Sequence, residues 1–192
     1  ADYPVVTPFS ARTFGLDIPE AFVDREEPNA YARDNWLEVQ IPGVPHSGVL
    51  TTSAYLNRYP TTATNRNRHR AKKFYEYFLA TDVLRLGERP IDDVGSSVHN
   101  PTLNDPQCTV CHTVIDPVAG AFQNWDDRGR YRPMEGGWYA GMLAPGLGEL
   151  AISPEDTPSA TRWLAYQAIE DPRFPLAITH LAYKIVTGED PV

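Results

Sequence analysis

The chain is poor in sulfur, with two cysteines and two methionines among 192 residues. A zinc site usually needs four ligands, and no second cysteine pair or spaced histidine pair is present to complete one. No apolar run approaches the length of a membrane-spanning helix, and no signal peptide is visible. Basic residues are a minority, 17 against 25 acidic, so the net charge is −8. This balance argues against nucleic acid or an anionic membrane surface as a partner.

The rest of the composition is that of a globular protein whose secondary structure is interrupted by many prolines. Hydrophobic residues make up 42% of the chain and aromatic residues 11%. That is enough for one sizeable core, or for one core with an appended small domain. There are 18 prolines, roughly twice the usual frequency. Because each proline fixes φ and removes a backbone donor, we expect short helices joined by long, stiff loops.

Both cysteines lie in one short motif, Cys108-Thr109-Val110-Cys111-His112. Cys-x-x-Cys-His is the attachment sequence of c-type haem, in which the thiols add to the vinyl groups and the histidine becomes an axial ligand of the iron. Two residues between the cysteines let both thiols reach one porphyrin, with His112 beneath the iron. The motif therefore predicts one covalently attached haem c.

Other uses of a Cys-x-x-Cys pair fit the sequence less well. A thiol–disulfide redox protein places this motif in a βαβ unit. Here the flanking residues 100–107 and Asp116-Pro117 have the composition of loops. A structural disulfide across two residues would be strained. The redox dithiol and the zinc site stay open as alternatives.

Hydrophobic spacing predicts a mainly α-helical fold. Residues 36–42 alternate as a strand or an extended arm does, and residues 47–56 are typical of a short helix. The strongest helix follows a cap at Thr64 or Asn65. Its apolar stripe consists of Ala71, Phe74, Tyr75, Phe78 and Leu79.

Two further helices close the chain, and each starts at a residue followed by proline. The first is expected at Thr157-Pro158 and the second at Asp171-Pro172. Gly188 is the expected C-cap of the second helix. Its apolar stripe consists of Phe174, Ile178, Leu181 and Ile185.

The second axial ligand of the iron separates an electron carrier from a catalyst or sensor. Residues 124–148 are a long segment rich in glycine and aromatic residues, and loops of this length are uncommon unless functional. Met142 lies in this segment between a glycine and a proline-containing turn, and we predict that it folds back over the far face of the haem. The runners-up are Met134 and His69. The other histidines considered are His46, His99 and His180.

The groups around the haem can also be predicted. His112 is expected to donate its other ring N–H to a carbonyl of the Asp116-Pro117 loop. The haem propionates need donors, and arginine offers bidentate geometry. The nearest donors are Trp125, Arg128, Arg130, Tyr131 and Arg132. The basic residues 66–73 are a second set, for which a solvated helix face is the other interpretation.

Residues 111–132 resemble the cytochrome-like module of large bacterial proteins built from Planctomycete-type domains of unknown function. In that family Cys-x-x-Cys-His is followed by Asp-Pro, a Phe, Asn-Trp/Phe-Asp and Gly-Arg. The corresponding residues here are Asp116, Pro117, Phe122, Asn124, Trp125, Asp126, Gly129 and Arg130. Residues 48–51 and 64–68 resemble the linker helix of the same family, and residues 1–15 resemble the tail of the domain that precedes it. The resemblance implies one piece, or one subunit, of a larger electron-transfer assembly.

These observations predict a small, mainly α-helical, cytochrome c-like domain around one covalent haem, with long proline-rich loops. Residues 1–60 are expected to be an irregular N-terminal extension packed on the haem domain of residues 61–192. The expected function is electron transfer to or from a partner redox protein or a neighbouring domain, without substrate chemistry. A peroxidase-like or gas-binding activity at an open distal site is the enzymatic alternative. Because haem c is attached outside the bacterial cytoplasm, we expect a periplasmic or otherwise exported protein.

Overall fold

A computed structural model describes residues 4–7, 11, 36–87 and 99–191. The described part of the chain is mainly helical, which confirms the predicted fold class. Its α-helices are α1 (Ser53–Arg58), α2 (Arg68–Phe78), α3 (Pro101–Asn104), α4 (Pro106–Ala121), α5 (Ala160–Glu170) and α6 (Arg173–Thr187). Three 3₁₀ turns cover Gly48–Thr51, Val83–Arg85 and Thr157–Ser159. None of the helices in these residues combines the length and the hydropathy needed to cross a bilayer.

Strands are short and occur as two antiparallel pairs in the described residues. β1 (Val5–Val6) pairs with β2 (Leu37–Glu38), within the stretch predicted to be extended. β3 (Gly146–Leu147) and β4 (Leu150–Ala151) form a small hairpin. Most of residues 1–15, which resemble a domain tail, lie outside the described residues. The strands therefore add little to the core, which is helical.

The main core is built where α1, α2, α4 and α5 meet. Leu56 of α1, Phe74 of α2 and Leu164 of α5 are all completely buried in it. Val6 and Ala11 belong to a second, smaller cluster with Leu37 and Val39. The domain boundary at residue 60 stays a prediction, although α1, on its N-terminal side, contributes to the main core.

The apolar stripe of α2 lies against the core as its spacing indicates. Ala71, Phe74, Tyr75 and Leu79 are buried. The helix begins at Arg68, a few residues after the predicted cap at Thr64 or Asn65. Arg66 and Asn67 have φ of 45° and 67°, values that a right-handed helix does not accommodate. The chain therefore turns sharply just before Arg68.

The segments around the cysteines are helical, so the loops predicted at 100–107 and at Asp116-Pro117 are wrong. Pro101 and Pro106 each take the first position of a helix, where the missing N–H costs nothing. The Asp105 carboxylate caps α4 by accepting from the backbone N–H of Gln107 at 2.8 Å. Pro117 lies inside α4. Its lost backbone hydrogen bond is offset by packing, since every residue from Ile115 to Ala121 is buried.

Arg70 of α2 is a completely buried cation. Its guanidinium donates to the carbonyls of Leu56, Tyr59, Trp125 and Asp126 and to Oδ1 of Asn67, at 2.7–3.1 Å. Burial lowers its pKa to about 10, so the group stays charged at neutral pH. Arg70 thereby ties the end of α1, the start of α2 and the segment after α4 into one unit.

Helix α6 has the predicted C-cap but packs differently from the expectation. Gly188 ends it with φ of 75°, the left-handed conformation that glycine adopts without strain. Ala177 is the residue of α6 that is buried. Three of the four predicted stripe residues, Ile178, Leu181 and Ile185, are exposed instead. The helix contacts α2 and α5, and most of its predicted apolar stripe remains exposed.

Candidate haem-attachment site

The two thiols and the histidine lie together on the N-terminal half of α4. Cys108, Cys111 and His112 are at positions i, i+3 and i+4, which face the same side of a helix. All three side chains are partly exposed, and both thiols are free. The Cys111 thiol donates to the carbonyl oxygen of Val83 at 3.3 Å. The donor set that a covalent haem c requires is therefore assembled on one accessible helix face.

The ring of His112 is held by a carboxylate one turn further along α4. Nδ1 of His112 lies 3.0 Å from Oδ1 of Asp116, and the Asp116 side chain is completely buried. The expected partner was a carbonyl of the Asp116-Pro117 loop. His112 and Asp116 lie in one helix instead, so the ring binds the side chain of Asp116 and not a loop carbonyl.

Arg68 also binds this carboxylate. Its Nε and Nη2 donate to the two oxygens of Asp116 at 2.7 and 3.0 Å. Burial acts to raise the pKa of Asp116, but the hydrogen bonds from His112 and Arg68 outweigh it and hold the pKa below its ordinary value. A carboxylate offers only acceptors, so Asp116 receives its hydrogen bond from Nδ1–H of His112. Nε2 makes no hydrogen bond within the described part of the chain and is the ring nitrogen on the side open to a metal.

The segment that carries Met142 runs along α4. The side-chain amide of Asn100, at the start of α3, donates to the carbonyl of Gly141 at 3.1 Å. At the other end, Pro145 packs so closely on Gly120 that a Cβ there would lie 2.7 Å from its Cγ. Met142 lies between these two contacts and is buried, with 6% of its surface exposed.

The same segment also contacts the basic turn before α2. The Arg66 guanidinium lies 4.4 Å from the centre of the Tyr139 ring, and Arg68 two residues later reaches Asp116. The Trp138 indole donates to the carbonyl of Leu143 at 3.0 Å and closes the turn. The Met142 turn and the Asp116 side of α4 therefore meet the same short stretch of chain.

The rival axial ligands have contacts of their own. His69 is exposed and packs against the Tyr59 ring, with centroids 5.0 Å apart. Burial and then Lys73, Lys72 and Arg58 lower the pKa of His69. Met134 is held through its backbone N–H, which donates to Oδ1 of Asn124 at 3.1 Å. His46 is buried beside Thr51, His99 is exposed and His180 is on α6.

The five predicted propionate donors after α4 form a turn of their own. Trp125 and Tyr131 make an isolated antiparallel bridge, and their rings meet edge to face. Asp126 accepts from the backbone N–H groups of Arg128 and Arg130 and from the Arg130 side chain. The turn follows the end of α4, which lies about 14 Å from His112 along the helix axis.

This Trp125–Tyr131 turn has contacts away from the motif. Gly129 lies against Leu56 of α1, and the Tyr131 hydroxyl donates to the carbonyl of Pro158 at 3.0 Å. The predicted propionate-binding role of Arg128 and Arg130 is therefore not supported by a contact with the motif, and it stays a prediction.

Two functional residues were missed as such in the sequence. Asp116 was expected to contribute a backbone carbonyl, and Arg68 was one member of a basic cluster. The spacing of four residues between His112 and Asp116 is a usable signal once the segment is read as a helix. The pairing of Arg68 with Asp116 joins residues 48 positions apart, and no local pattern indicates it.

The alternatives to haem lose support from this arrangement. Among the described residues no group of three or more His, Cys, Asp or Glu side chains is placed to hold a metal ion. A nucleophilic thiol needs a lowered pKa, whereas burial, Asp105 and Cys111 raise the pKa of Cys108. The described geometry favours neither zinc nor a redox dithiol.

The fold and the site together define a class of protein, a mainly helical domain that presents Cys-x-x-Cys-His on one face of a helix. The profile of PSCyt3, described as a protein family of unknown function (DUF1588), matches residues 46–135. This is a cytochrome-like family of Planctomycete type, in agreement with the resemblance seen in residues 111–132. The match covers slightly less than half of the chain and ends before Met142, α5 and α6. No curated protein and no solved structure is significantly similar to the chain.

Proposed function

We propose that the chain is a single-haem c-type cytochrome domain that carries electrons without transforming a substrate. The observation that supports this best is the state of His112. Its Nδ1 is bound to a buried carboxylate, its Nε2 makes no hydrogen bond within the described residues, and two cysteines that form no disulfide lie on the same helix face. This is the donor set that haem c requires.

The residues have distinct roles in this proposal. Cys108 and Cys111 would hold the haem through two thioether links, and His112 would bind its iron. Met142 would be the second protein ligand of the iron, because the Asn100 and Gly120 contacts hold its turn beside α3 and α4. When bound, the haem supplies a one-electron Fe(III)/Fe(II) couple, whose potential methionine ligation raises relative to histidine ligation.

The setting of the domain is part of the same proposal. A net charge of −8 suits docking on basic patches of a redox partner or of a neighbouring domain in a larger polypeptide. Covalent haem attachment implies a periplasmic or otherwise exported protein.

The first test is whether the haem is attached and redox-active. The chain is produced in a host that exports and matures c-type cytochromes, and the purified protein is denatured and examined for haem that stays with the polypeptide. We expect one haem per chain, lost in Cys108→Ser plus Cys111→Ser, and a reversible one-electron wave in potentiometry. A wild-type chain without bound haem that cycles between dithiol and disulfide would overturn the proposal in favour of a redox dithiol. A haem that resists reduction would indicate a structural or sensory role.

The second test concerns the distal ligand. Met142→Ala should remove the long-wavelength sulfur-to-iron band of the ferric protein, lower the potential and open the site to cyanide and carbon monoxide. Met134→Ala is the matched control and should leave all three properties unchanged. If Met134→Ala has these effects and Met142→Ala does not, the assignment is reversed. Prompt carbon monoxide binding by the unmutated ferrous protein would favour the gas-binding alternative.

A further inference from the structure

A single carboxylate oxygen is shared between the proposed iron ligand and an arginine. Oδ1 of Asp116 lies 3.0 Å from Nδ1 of His112 and 2.7 Å from Nε of Arg68. The second arginine contact, from Nη2 to Oδ2, is 3.0 Å long. His112 and Arg68 therefore compete for the electron density of the same oxygen.

Burial makes this competition strong. The Asp116 side chain has no exposed surface, and those of Arg68 and His112 are each 21% exposed. In such a site charged hydrogen bonds are shorter and stronger than in water. Because Asp116 is four residues after His112 on a rigid helix, the bond also fixes the rotation of the imidazole ring.

The backbone before α2 places the arginine. Arg66 and Asn67 both have positive φ, which is uncommon for residues other than glycine. Asn67 is buried and its backbone N–H donates to the hydroxyl of Thr61 and to Oδ1 of Asn65. This tight turn aims Arg68 at α4, whereas the next residue, His69, faces Tyr59.

We infer that Asp116 is a positioning residue for His112 and that Arg68 regulates how strongly it acts, so that the pair sets the reduction potential of the bound haem. The inference rests on the proposed function and deepens it. A carboxylate that accepts from Nδ1–H increases the basicity of the imidazole and stabilises ferric iron. Arg68 withdraws charge from that carboxylate and counteracts this effect.

The inference requires potential shifts of opposite sign when the two partners are removed. Asp116→Asn keeps an acceptor oxygen near Nδ1 but removes the negative charge, so the potential should rise. Arg68→Gln leaves the carboxylate to His112 alone, so the potential should fall. We expect each change to alter the ratio of reduced to oxidised protein at a fixed applied potential about tenfold, or about 59 mV for one electron.

Arg66→Gln is the matched control. It removes the same charge two residues away, where the guanidinium contacts the Tyr139 ring and not Asp116. The shift in reduction potential of Arg66→Gln measures the loss of a nearby positive charge alone, and the shift of Arg68→Gln must be larger.

Resonance Raman spectra of the ferrous Met142→Ala protein give a second measure, since the iron–histidine stretching frequency should decrease when Asp116→Asn is added. If Asp116→Asn does not fold, Arg68→Lys tests the role of the Arg68–Asp116 pair instead, because it keeps the charge and loses the bidentate geometry.

The possible failures are distinguishable. Shifts of equal sign in Asp116→Asn and Arg68→Gln, or equal shifts in Arg68→Gln and Arg66→Gln, would overturn the role of the pair while the unmutated protein still has a normal redox couple. An unmutated protein without covalent haem would overturn the proposed function itself.

Discussion

The side-chain amide of Asn100 donates to the backbone carbonyl of Gly141 at 3.1 Å. This bond joins the start of α3 to the turn that immediately precedes Met142. Asn100 has φ of 50°, a conformation that asparagine tolerates better than most residues. One residue thus caps α3 and bonds the turn that carries the proposed distal ligand.

Asn100→Asp should loosen the turn that holds Met142. The carboxylate keeps the acceptor for the Thr102 hydroxyl but replaces the donor to Gly141 with a second oxygen. Loss of one hydrogen bond of about 1.4 kcal/mol corresponds to about a tenfold change in an equilibrium. We therefore expect imidazole to displace Met142 from the ferric haem about tenfold more readily in an optical titration.

Asn104→Asp is the control for this prediction, because the Asn104 amide donates to the local carbonyls of His99 and Asn100 and does not reach the turn. Equal imidazole affinities for the two variants would show that the bond to Gly141 does not hold Met142.

Gly120→Ala should separate α4 from the Met142 segment. The new Cβ would lie 2.7 Å from Cγ and 2.9 Å from Cα of Pro145, so backbone must move. We expect the free energy of unfolding to fall by about 1–3 kcal/mol, measured by urea denaturation. Adding Pro145→Gly removes two of the three close atoms and should restore part of the loss. No loss in Gly120→Ala alone would mean that this contact is not tight in solution.

Arg70→Met should be the most destabilising single change on α2. It leaves the backbone carbonyls of Leu56, Tyr59 and Trp125 without their donor, and unsatisfied buried groups cost about 1–3 kcal/mol each. We expect a loss of about 4 kcal/mol or more in urea unfolding, or no folded protein. Lys72→Met, on the same helix and without an ion pair to any described residue, should change stability by less than about 0.5 kcal/mol. Similar stabilities for both variants would contradict the role of Arg70.

Asp126 should make stability depend on pH in the acid range. Burial acts to raise its pKa, but hydrogen bonds from Arg130 and Arg128 outweigh burial and hold the pKa below the ordinary value. The ionised form therefore stabilises the folded state above the ordinary pKa of about 3.9, and this stabilisation is lost as the pH falls through the lower folded value.

The check is urea unfolding of the unmutated chain and of Asp126→Asn between pH 2 and 6. We expect a difference of about 1–2 kcal/mol near pH 6 that shrinks towards pH 2. A difference that is constant over this range would show that the Asp126 charge does not matter.

The sequence was sufficient to predict those features for which a short pattern permits a single local structure. The stripe on α2 and the cap at Gly188 follow from local spacing and φ preference, and the structure confirms both. The helices around the cysteines were missed because Pro101, Pro106 and Pro117 resemble loop signals. Two of these prolines start helices, and the third is tolerated because the surrounding half of α4 is buried.

Local sequence patterns do not predict the contacts that organise the site. Arg68 and Asp116 are far apart in the chain, and their pairing depends on how α2 packs on α4. The same holds for Asn100 and Gly141. They come into contact because the chain that follows α4 runs back along that helix. Periodicity identifies which face of a helix is apolar, but the partner of a buried charge is decided by the packing of helices.

The exposed side of α6 affects how the purified chain behaves at high concentration. Ile185 and Val186 are 75% and 84% exposed, near a helix end where no described residue covers them. Contiguous apolar surface of this kind promotes self-association and precipitation. Ile185→Lys combined with Val186→Glu removes it without touching Ala177, the buried contact of α6. The solubility limit, measured by concentrating both proteins until they precipitate, should therefore rise while the free energy of unfolding stays the same.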